Sequence, residues 1–414
     1  MFDTIPEEWK TETLLLLVGG NPLPNYVAAK LLLKPGGTLH LLYSHATGDI
    51  ASAIAAAVGA QHLAHEISNP ASRSSVSDRV AEVLDKHCRN RTVGLHYTGG
   101  TKSMAVHAHA AVRQHRQDAV LTYLDSRTLH LYCDGSIGAV PVQYSVEPTL
   151  VDLLKLHGLQ LVHEDHFLKD GQPRWPDLIL GGLNAALARA HSQSEGAKAY
   201  AEWCQTYLRD AKRNSLVRKA QHFPVSPLPF PEDPCLHEVT EQMKVAYGLV
   251  ADSFDPQTVV QRNNSEVKSI GDLVAHLDGK WLEYCVADAF IQNRTEHRLN
   301  SVGMSLDIDG KQSVYDFEVD VGALQGYQLY AVSCTRSAEK RLCKSKLFEA
   351  LIRAEQLGGS EAKTALVCAF DKPGELEKEV RERWRPETSS RIRVFGAEHL
   401  PDLKMHLGVW LKQP

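Results

Sequence analysis

The sequence lacks several features that would place it in a familiar class. Its 414 residues include eight cysteines, no two of them closer than nine positions, so neither a zinc knuckle nor a disulfide framework is predicted. The longest run of large aliphatic residues, Leu14 to Val18, is far shorter than the ~20 residues that a membrane-spanning helix needs. The first eight residues have no basic segment followed by an apolar one, so no signal peptide is expected. These absences predict a soluble, cytoplasmic protein.

The sequence also has no strong excess of charge of either sign. Lysine and arginine total 45, aspartate and glutamate total 50, and the net charge is −5. This balance excludes a globally basic nucleic-acid binder but allows a local basic groove. The composition, 43% hydrophobic and 23% charged, is typical of globular proteins, and the length suggests two or three domains.

Two parts of the chain alternate strand-like and helix-like segments. Residues 1–144 contain continuous apolar strands such as Val93–Tyr97 between helical patterns, which predicts a doubly wound, mostly parallel sheet. Residues 235–414 alternate in a similar way and predict a second α/β domain. Residues 145–234 are predicted to be a linker region, with a basic helix over 185–219 and a proline-rich boundary at 224–234. The predicted fold class is α/β, with two α/β domains joined by a helical, proline-rich linker.

The turn Thr98-Gly99-Gly100-Thr101-Lys102 follows a predicted strand and begins a predicted helix. Backbone N–H groups at such a helix N-terminus, next to a lysine, can bind phosphate or another anion. The plainer alternative is a tight glycine turn in which Thr101 is only the N-cap. There is no GxGxxG after the first strand and the turn is too short for a P-loop, so neither a dinucleotide dehydrogenase nor a P-loop protein is predicted.

The residues 98–104, Thr-Gly-Gly-Thr-Lys-Ser-Met, together with Gly-Gly-Asn at 19–21, resemble the CRISPR-associated Rossmann fold (CARF) sensor domain. The resemblance covers roughly the first 140 residues. It implies a sensor of cyclic oligoadenylates, usually cyclic tetra-adenylate, which bind in a cleft shared across a homodimer. The ligand-binding residues that it implies are Gly20, Asn21, Ser44, His45, Thr98, Gly99, Gly100, Thr101 and Lys102.

Acidic residues in the last third of the chain form a second candidate site. Glu283 lies on a predicted helix, while Glu318 and Asp320 alternate with valines on a predicted strand and therefore share one face. A two-residue hairpin turn at Gly326-Tyr327 would pair Asp320 with Ser333 and, two residues further, Glu318 with Thr335. Carboxylates gathered in this way bind Mg²⁺ or Mn²⁺. The alternative is that Glu318 is a solvated strand residue and that the acids lie too far apart to share an ion.

A helix acid followed by a hairpin acid resembles the PD-(D/E)xK nuclease fold. The sequence departs from that pattern at Ser333-Cys334-Thr335, where the family has Glu-x-Lys. Glu318 and a lysine on the next helix, Lys346, could replace the missing groups. The resemblance implies Glu283, Glu318, Asp320 and Lys346 as catalytic residues and the three acids as metal ligands. Positive charge for the substrate is expected from Arg336, Lys340, Arg341 and Lys344.

Together the two resemblances imply a cyclic-oligoadenylate-activated, metal-dependent nuclease of type III CRISPR antiviral defence, acting on nucleic acid as a homodimer. The main alternative is a non-catalytic sensor whose degenerate nuclease domain only binds nucleic acid or a partner. A nucleotide-dependent metabolic enzyme is disfavoured by the missing nucleotide-binding fingerprints.

Overall fold

The structure, a computed structural model, describes residues 5–162, 168–169, 172–173, 180–210, 215–249, 252–262, 267–310, 317–384 and 391–413. These residues form an α/β protein with a seven-stranded and a six-stranded sheet, which confirms the predicted fold class. No helix in the described ranges has both the length and the apolar character needed to cross a membrane.

The N-terminal unit is built on the seven-stranded sheet, whose strand order is β3-β2-β1-β4-β5-β6-β7. The first five strands in this order are parallel, and β6 and β7 are antiparallel to their neighbours. The central strand is apolar on both faces because alternate leucines pack into separate cores: Leu14 and Leu16 against α1 and α2, Leu15 and Leu17 against α3 and α4. The elements are β1 (Thr11–Leu17), α1 (Leu23–Leu32), β2 (Leu33–Tyr43), α2 (Gly48–Val58), β3 (Gln61–Glu66), α3 (Arg73–His87), β4 (Val93–His96), α4 (Lys102–His115), β5 (Val120–Asp125), β6 (His130–Cys133) and β7 (Ala139–Pro141).

The C-terminal unit is built on the six-stranded sheet, whose strand order is β17-β16-β15-β14-β13-β8. Strands β15, β16 and β17 are parallel, and β14, β13 and β8 continue the sheet as antiparallel strands. Its elements are α5 (Leu150–Leu156), β8 (Leu159–Leu161), β9 (Leu168–Lys169), β10 (Gln172–Pro173), α6 (Gly181–His191), α7 (Ser194–Tyr207), β11 (Leu228–Pro229), α8 (His237–Tyr247), β12 (Ser253–Phe254), α9 (Pro256–Arg262), α10 (Ile270–Ala275), α11 (Trp281–His297), β13 (Leu299–Gly310), β14 (Phe317–Gln325), β15 (Gln328–Thr335), α12 (Lys340–Gly358), β16 (Lys363–Cys368), α13 (Pro373–Trp384), β17 (Ile392–Phe395) and α14 (Leu403–Leu411).

The two units share an apolar core. Leucines of α5, among them Leu153, pack in one cluster with Leu16 of β1 and with Leu357 at the end of α12. Strand β8 also lies in the predicted linker region 145–234, yet it pairs with β13 at the edge of the second sheet. The boundaries at residues 144 and 234 stay predictions, but the structure shows that the segment between them contributes to both units.

The predicted basic helix over 185–219 is wrong. The chain forms two helices, α6 and α7, separated where Gln193 takes an extended conformation (φ −115°, ψ 135°). After α7, Arg209 and Leu216 form an antiparallel β-bridge. Val217 is buried in the apolar core that the second sheet shares with α6, α7, α8 and α11. Lys212 and Arg213, two of the expected basic side chains, lie outside the described residues.

Candidate functional site

The loops that follow β1, β2, β4 and β5 meet at one edge of the first sheet, because these strands are parallel and adjacent. The loops after β1 and β4 are in direct contact, since a Cβ on Gly19 would lie 2.8 Å from the backbone nitrogen of Gly100. Gly99 lies so close to the backbone oxygen of Leu17 that a side chain would collide with it. Glycine is therefore required for this close approach, and the structure brings the loops at 19–21 and 98–102 together.

Four of the hydroxyl groups in these loops already have partners within the chain. Thr98 Oγ1 accepts a hydrogen bond from the backbone nitrogen of Leu124 (2.6 Å), and Thr101 Oγ1 accepts one from Met104 (3.1 Å) as the N-cap of α4. Ser44 and Thr47 hydrogen-bond each other in a turn after β2. These hydroxyls shape the turns, so Lys102, which is exposed in the first turn of α4, and the backbone N–H groups are the better candidates for binding an anion.

Other proposed ligand residues at this edge have mixed environments. Asn21 Oδ1 accepts a hydrogen bond from the backbone nitrogen of Leu23 (3.0 Å) where α1 begins, and Gly20 is exposed. The fully exposed ring of His45 lies 3.6 Å from the carboxylate of Glu66. Gly20 and His45 are therefore accessible to a ligand, whereas the Asn21 side chain is already engaged within the chain.

The same edge contacts the C-terminal unit directly after α12. Gly359 lies against the side-chain amide of Asn21, where a Cβ would collide. Ser360 Oγ is 2.9 Å from Ser126 Oγ, and Arg391 donates a hydrogen bond to the backbone oxygen of Ser126 (3.0 Å). The end of α12 is thus in contact with the loops after β1 and β5.

The predicted hairpin of β14 and β15 is confirmed in its register. Gln325 pairs with Gln328, and Gly326 has the positive φ (60°) that the turn requires. The pairing continues to Val321 and Val332, and Asp320 Oδ2 then accepts hydrogen bonds from Ser333 Oγ (3.0 Å) and from the backbone nitrogen of Cys334 (2.6 Å). These bonds fix the orientation of the Asp320 carboxylate.

Thr335 lies beyond the pairing found between β14 and β15. Its hydroxyl accepts a hydrogen bond from the backbone nitrogen of Ser337 (3.3 Å) in the turn before α12. The expected pairings of Asp320 with Ser333 and of Glu318 with Thr335 are therefore both absent from the described ladder, which ends at Val321 and Val332. Asp320 and Ser333 are joined by a side-chain hydrogen bond instead.

A cavity of about 150 Å³ lies between the hairpin and α12. The residues Lys346, Glu349 and Arg353 line it from α12, where the spacing i, i+3, i+7 places them on one helix face. Its charged and polar lining residues are Glu318, Asp320, Ser333, Lys346, Glu349 and Arg353. The sequence analysis placed Lys346 here but missed Arg353, although the helical spacing from Lys346 could have indicated it.

Glu283 on α11 is held next to the hairpin by a strained residue. Ser305 of β13 has a positive φ (49°), which is uncommon outside glycine and often marks functional sites, and its hydroxyl donates a hydrogen bond to Glu283 Oε2 (2.8 Å). Burial and, to a smaller extent, the negative charge of the neighbouring Asp320 raise the pKa of Glu283 to about 8. The positive φ of Ser305 could not be predicted from the sequence.

The three proposed acids influence one another electrostatically. Loss of hydration raises the pKa of Asp320 and of Glu318, and the negative charge of Asp320 also raises the pKa of Glu318. Lys346 opposes the rise at both residues, and Lys280, which the sequence analysis did not single out, opposes it at Glu283 and Glu318. A bound cation stabilises the ionised form of acids whose charges repel in this way.

The acids supply the hard oxygen ligands that Mg²⁺ and Mn²⁺ prefer. The described residues contain no group of three or more His, Cys, Asp or Glu side chains already arranged around one metal position. The chemistry of Glu283, Glu318 and Asp320 therefore fits a divalent ion, while their side chains would have to move to share it.

The expected basic residues near the cavity are largely paired with acids. Arg336 binds Asp278 (2.8 Å), and Lys340 and Lys344 both bind Glu379 (3.0 and 2.6 Å). These pairs reduce the positive charge that was expected to attract a nucleic acid. Inside the cavity, positive charge comes instead from Lys346 and Arg353.

Three solved structures have a similar architecture. Protein VC1899 from Vibrio cholerae matches with a TM-score of 0.71 and 13% identity, over 97% of this chain and 98% of its own. Can2 from Sulfobacillus thermosulfidooxidans, solved in complex with cyclic tetra-adenylate, matches with a TM-score of 0.66 and 14% identity, over 98% of both chains. The chain shares their fold.

A third structure is similar over part of its length. It is a type III CRISPR defence DNA nuclease activated by cyclic oligoadenylate, with a TM-score of 0.52 and 18% identity over 91% of this chain and 52% of its own. No protein-family model matches the chain, and no curated protein matches it in sequence. The likeness is thus one of architecture, and it spans both the N-terminal and the C-terminal unit.

The raised pKa of Glu283 predicts a pH-dependent stability. Between its ordinary pKa of 4.5 and about 8, the folded protein holds a proton that the unfolded chain releases, so stability falls as pH rises through this window. We expect the free energy of unfolding in urea, measured with a chelator present, to fall less between pH 5.5 and 8.5 in Glu283→Gln than in the wild type. Glu232→Gln, which changes an exposed loop residue, is the matched control. Equal pH dependence in Glu283→Gln and the wild type would contradict this assignment.

Proposed function

We propose that the protein is a nuclease that binds a cyclic oligoadenylate, cyclic tetra-adenylate above others, as its activator in type III CRISPR antiviral defence. The proposal rests on the position of α12. Its middle turns place Lys346 beside Asp320 in the cavity, and the chain directly after it contacts Asn21 and Ser126 at the edge of the first sheet. A ligand at that edge is therefore coupled mechanically to the acidic cavity. The shared fold with Can2, solved with cyclic tetra-adenylate, supports the same activator.

The proposed reaction is hydrolysis of a phosphodiester in the cavity of the C-terminal unit. Glu283, Glu318 and Asp320 would hold Mg²⁺ or Mn²⁺, which supplies Lewis-acid polarisation of a phosphate and a more acidic water. Ser333 and the backbone of Cys334 keep the Asp320 carboxylate oriented. Lys346 is placed to orient the attacking water or to stabilise charge that develops on the phosphate.

One observation favours a second candidate function, a sensor without nuclease activity. Ser333-Cys334-Thr335 supplies neither a carboxylate nor a lysine, and Thr335 points into a turn rather than the cavity. In that case the C-terminal unit would only bind nucleic acid or a partner when the activator is present.

The deciding experiment is a cleavage assay on the full chain. Plasmid DNA, single-stranded DNA and RNA are incubated with Mg²⁺ or Mn²⁺, with and without cyclic tetra-adenylate. Cleavage that requires both the metal ion and the activator supports the nuclease. Activator binding without cleavage of any substrate would favour the non-catalytic sensor.

Lys102 is expected to contribute to activator binding. It stands exposed at the N-terminus of α4, beside the backbone N–H groups of Gly99 and Gly100. Lys102→Ala removes a charge-assisted hydrogen bond to a phosphate, which is typically worth ~1.5–3 kcal/mol, or a ten- to 150-fold loss of affinity. Calorimetry with cyclic tetra-adenylate tests this, with Lys86→Ala on α3 as the control. An unchanged affinity in folded Lys102→Ala would exclude Lys102 from the binding site.

A cyclic and symmetric activator is best bound on a two-fold axis, where both subunits present the same surface. We therefore propose a homodimer formed through residues 1–144. Light scattering at micromolar concentration is expected to give twice the mass of 45.8 kDa. A single-chain mass in the presence of cyclic tetra-adenylate would contradict the homodimer.

A further inference from the structure

Three histidines lie together on the face of the first sheet that α3 covers, far along the chain from the acidic cavity. His40 is buried on β2, His65 is half-buried on the edge strand β3, and His87 is the exposed last residue of α3. The three ring centroids are 5.2, 5.5 and 5.7 Å apart, a nearly equilateral triangle. None of these residues has a part in the proposed sensor or nuclease site.

The geometry of this triangle matches the size of a metal ion with three imidazole ligands. The point equidistant from the three centroids lies about 3.2 Å from each. With zinc–nitrogen bonds of about 2.0–2.1 Å, the metal also lies about 3.2 Å from the centroid of each ring that binds it. The ring centroids therefore already have the spacing that a three-histidine site requires.

The rings do not converge on that point as they stand. His40 Nδ1 faces His65 Nε2 at 2.9 Å, with the two ring planes within 11° of each other. A hydrogen bond between two ring nitrogens requires one of them to be unprotonated, so at least one ring already presents a lone pair. Binding a metal would require the rings to turn toward the centre of the triangle, which would exchange this hydrogen bond for bonds to the metal.

The surroundings allow a cation to enter and to stay. His87 is exposed and His65 is partly exposed, so the centre of the triangle is accessible from solvent. The cations Arg79 and Lys86 on the neighbouring helix α3 are both bound to Glu82, at 2.7 and 2.8 Å. Arg91 is also close to the cluster and is engaged with Thr38 Oγ1 at 3.4 Å.

We propose that His40, His65 and His87 form a binding site for a divalent transition metal ion of the zinc type. Neutral imidazole is a preferred ligand of Zn²⁺, Co²⁺, Ni²⁺ and Cu²⁺, and a three-histidine set leaves a fourth position for water. Such an ion joins the C-terminal end of α3 to β2 and to the edge strand β3. The ion would therefore stabilise the packing of α3 against β2 and β3 in the N-terminal unit.

The test uses Co²⁺ as a spectroscopic probe and Zn²⁺ as its competitor, with the full chain. Wild-type protein is expected to give the visible absorption of histidine-bound Co²⁺, to lose it when Zn²⁺ is added, and to show a higher Tm with Zn²⁺. His87→Gln, a change at an exposed residue, should weaken Co²⁺ binding at least tenfold. His62→Gln is the matched control, since His62 is an exposed histidine of the same strand, β3, whose ring contacts the backbone of Ala60.

The outcomes distinguish a specific three-histidine site from non-specific binding of the metal to surface histidines. A tenfold or greater loss in His87→Gln and in His65→Gln, with His62→Gln unchanged, supports the site. Equal affinities in the wild type and His87→Gln, an equal loss in His62→Gln, or no Co²⁺ absorption in the wild type would each overturn it. Circular dichroism of each variant verifies that the comparison is made between folded proteins.

Discussion

Asp320→Asn is expected to reduce activator-dependent cleavage by orders of magnitude. The substitution keeps the size of the side chain and lets its oxygen continue to accept hydrogen bonds from Ser333 and Cys334. It removes the negative charge that would hold a hard divalent ion, whose preferred ligands are charged carboxylates. The initial rate of cleavage with Mn²⁺ and saturating cyclic tetra-adenylate measures the effect.

Binding of the activator provides the internal control for this variant. Lys102 and the turn at 98–102 lie in the N-terminal unit, whereas Asp320 lies on the second sheet, so calorimetry should give the wild-type affinity. Asp309→Asn, on β13 of the same sheet and hydrogen-bonded to Gln160 of the edge strand β8, is a matched substitution outside the cavity. If Asp320→Asn cleaves at the wild-type rate, the active site lies elsewhere.

The features that could be predicted from the sequence are those that local patterns encode. Leu14 to Leu17 form a short continuous apolar run followed by Gly19 and Gly20, a pattern typical of a strand buried on both faces. Gly326 marks a tight hairpin, and counting residues from it predicts the register of the pairs from Gln325–Gln328 to Val321–Val332. The hydrogen bonds from Ser333 and Cys334 that orient Asp320 lie just beyond those pairs. The N-cap at Thr101 likewise follows from its own residue type and its position before α4.

The features that were missed depend on contacts between distant residues. Strand β3 is polar and mostly exposed, so it has no apolar pattern, and it exists because its backbone pairs with β2. The predicted helix over 185–219 ends early because Val217 is buried in the apolar core that the second sheet shares with α6, α7, α8 and α11. Thr335 ends β15, and its hydroxyl accepts a hydrogen bond from Ser337 in the turn that follows. That contact depends on where α12 begins, which the sequence of the strand does not reveal.

Within the candidate site, too, some positions follow from local patterns and others depend on contacts between distant residues. The charged face of α12 can be derived from helical spacing, because Lys346, Glu349 and Arg353 repeat with the period of the helix. The position of Glu283 cannot, because it depends on the hydrogen bond from Ser305 and on a strained backbone within β13. The contact of Gly359 with Asn21, which links the two units, joins residues more than 300 positions apart.

Lys346→Ala is expected to reduce cleavage roughly a hundredfold or more, the usual cost of removing one group that stabilises developing charge. Lys346 is half-buried and lines the cavity with Asp320, whereas Lys344 on the same helix is paired with Glu379. Lys344→Ala is therefore the matched control and should cleave within a few-fold of the wild type. The rate at saturating activator and metal ion is the quantity to compare.

The strand β15 lacks the lysine that the nuclease pattern has at its end. Thr335→Ala tests whether a group on β15 or Lys346 on α12 acts in its place. Thr335 occupies the position of the lysine in the nuclease pattern that the sequence resembles, but its hydroxyl is engaged with Ser337 outside the cavity. Thr335→Ala should therefore cleave nearly as well as the wild type, while Lys346→Ala should not. The reverse result, a normal rate in Lys346→Ala and a large loss in Thr335→Ala, would show that the group acting in place of the lysine belongs to β15 and not to α12.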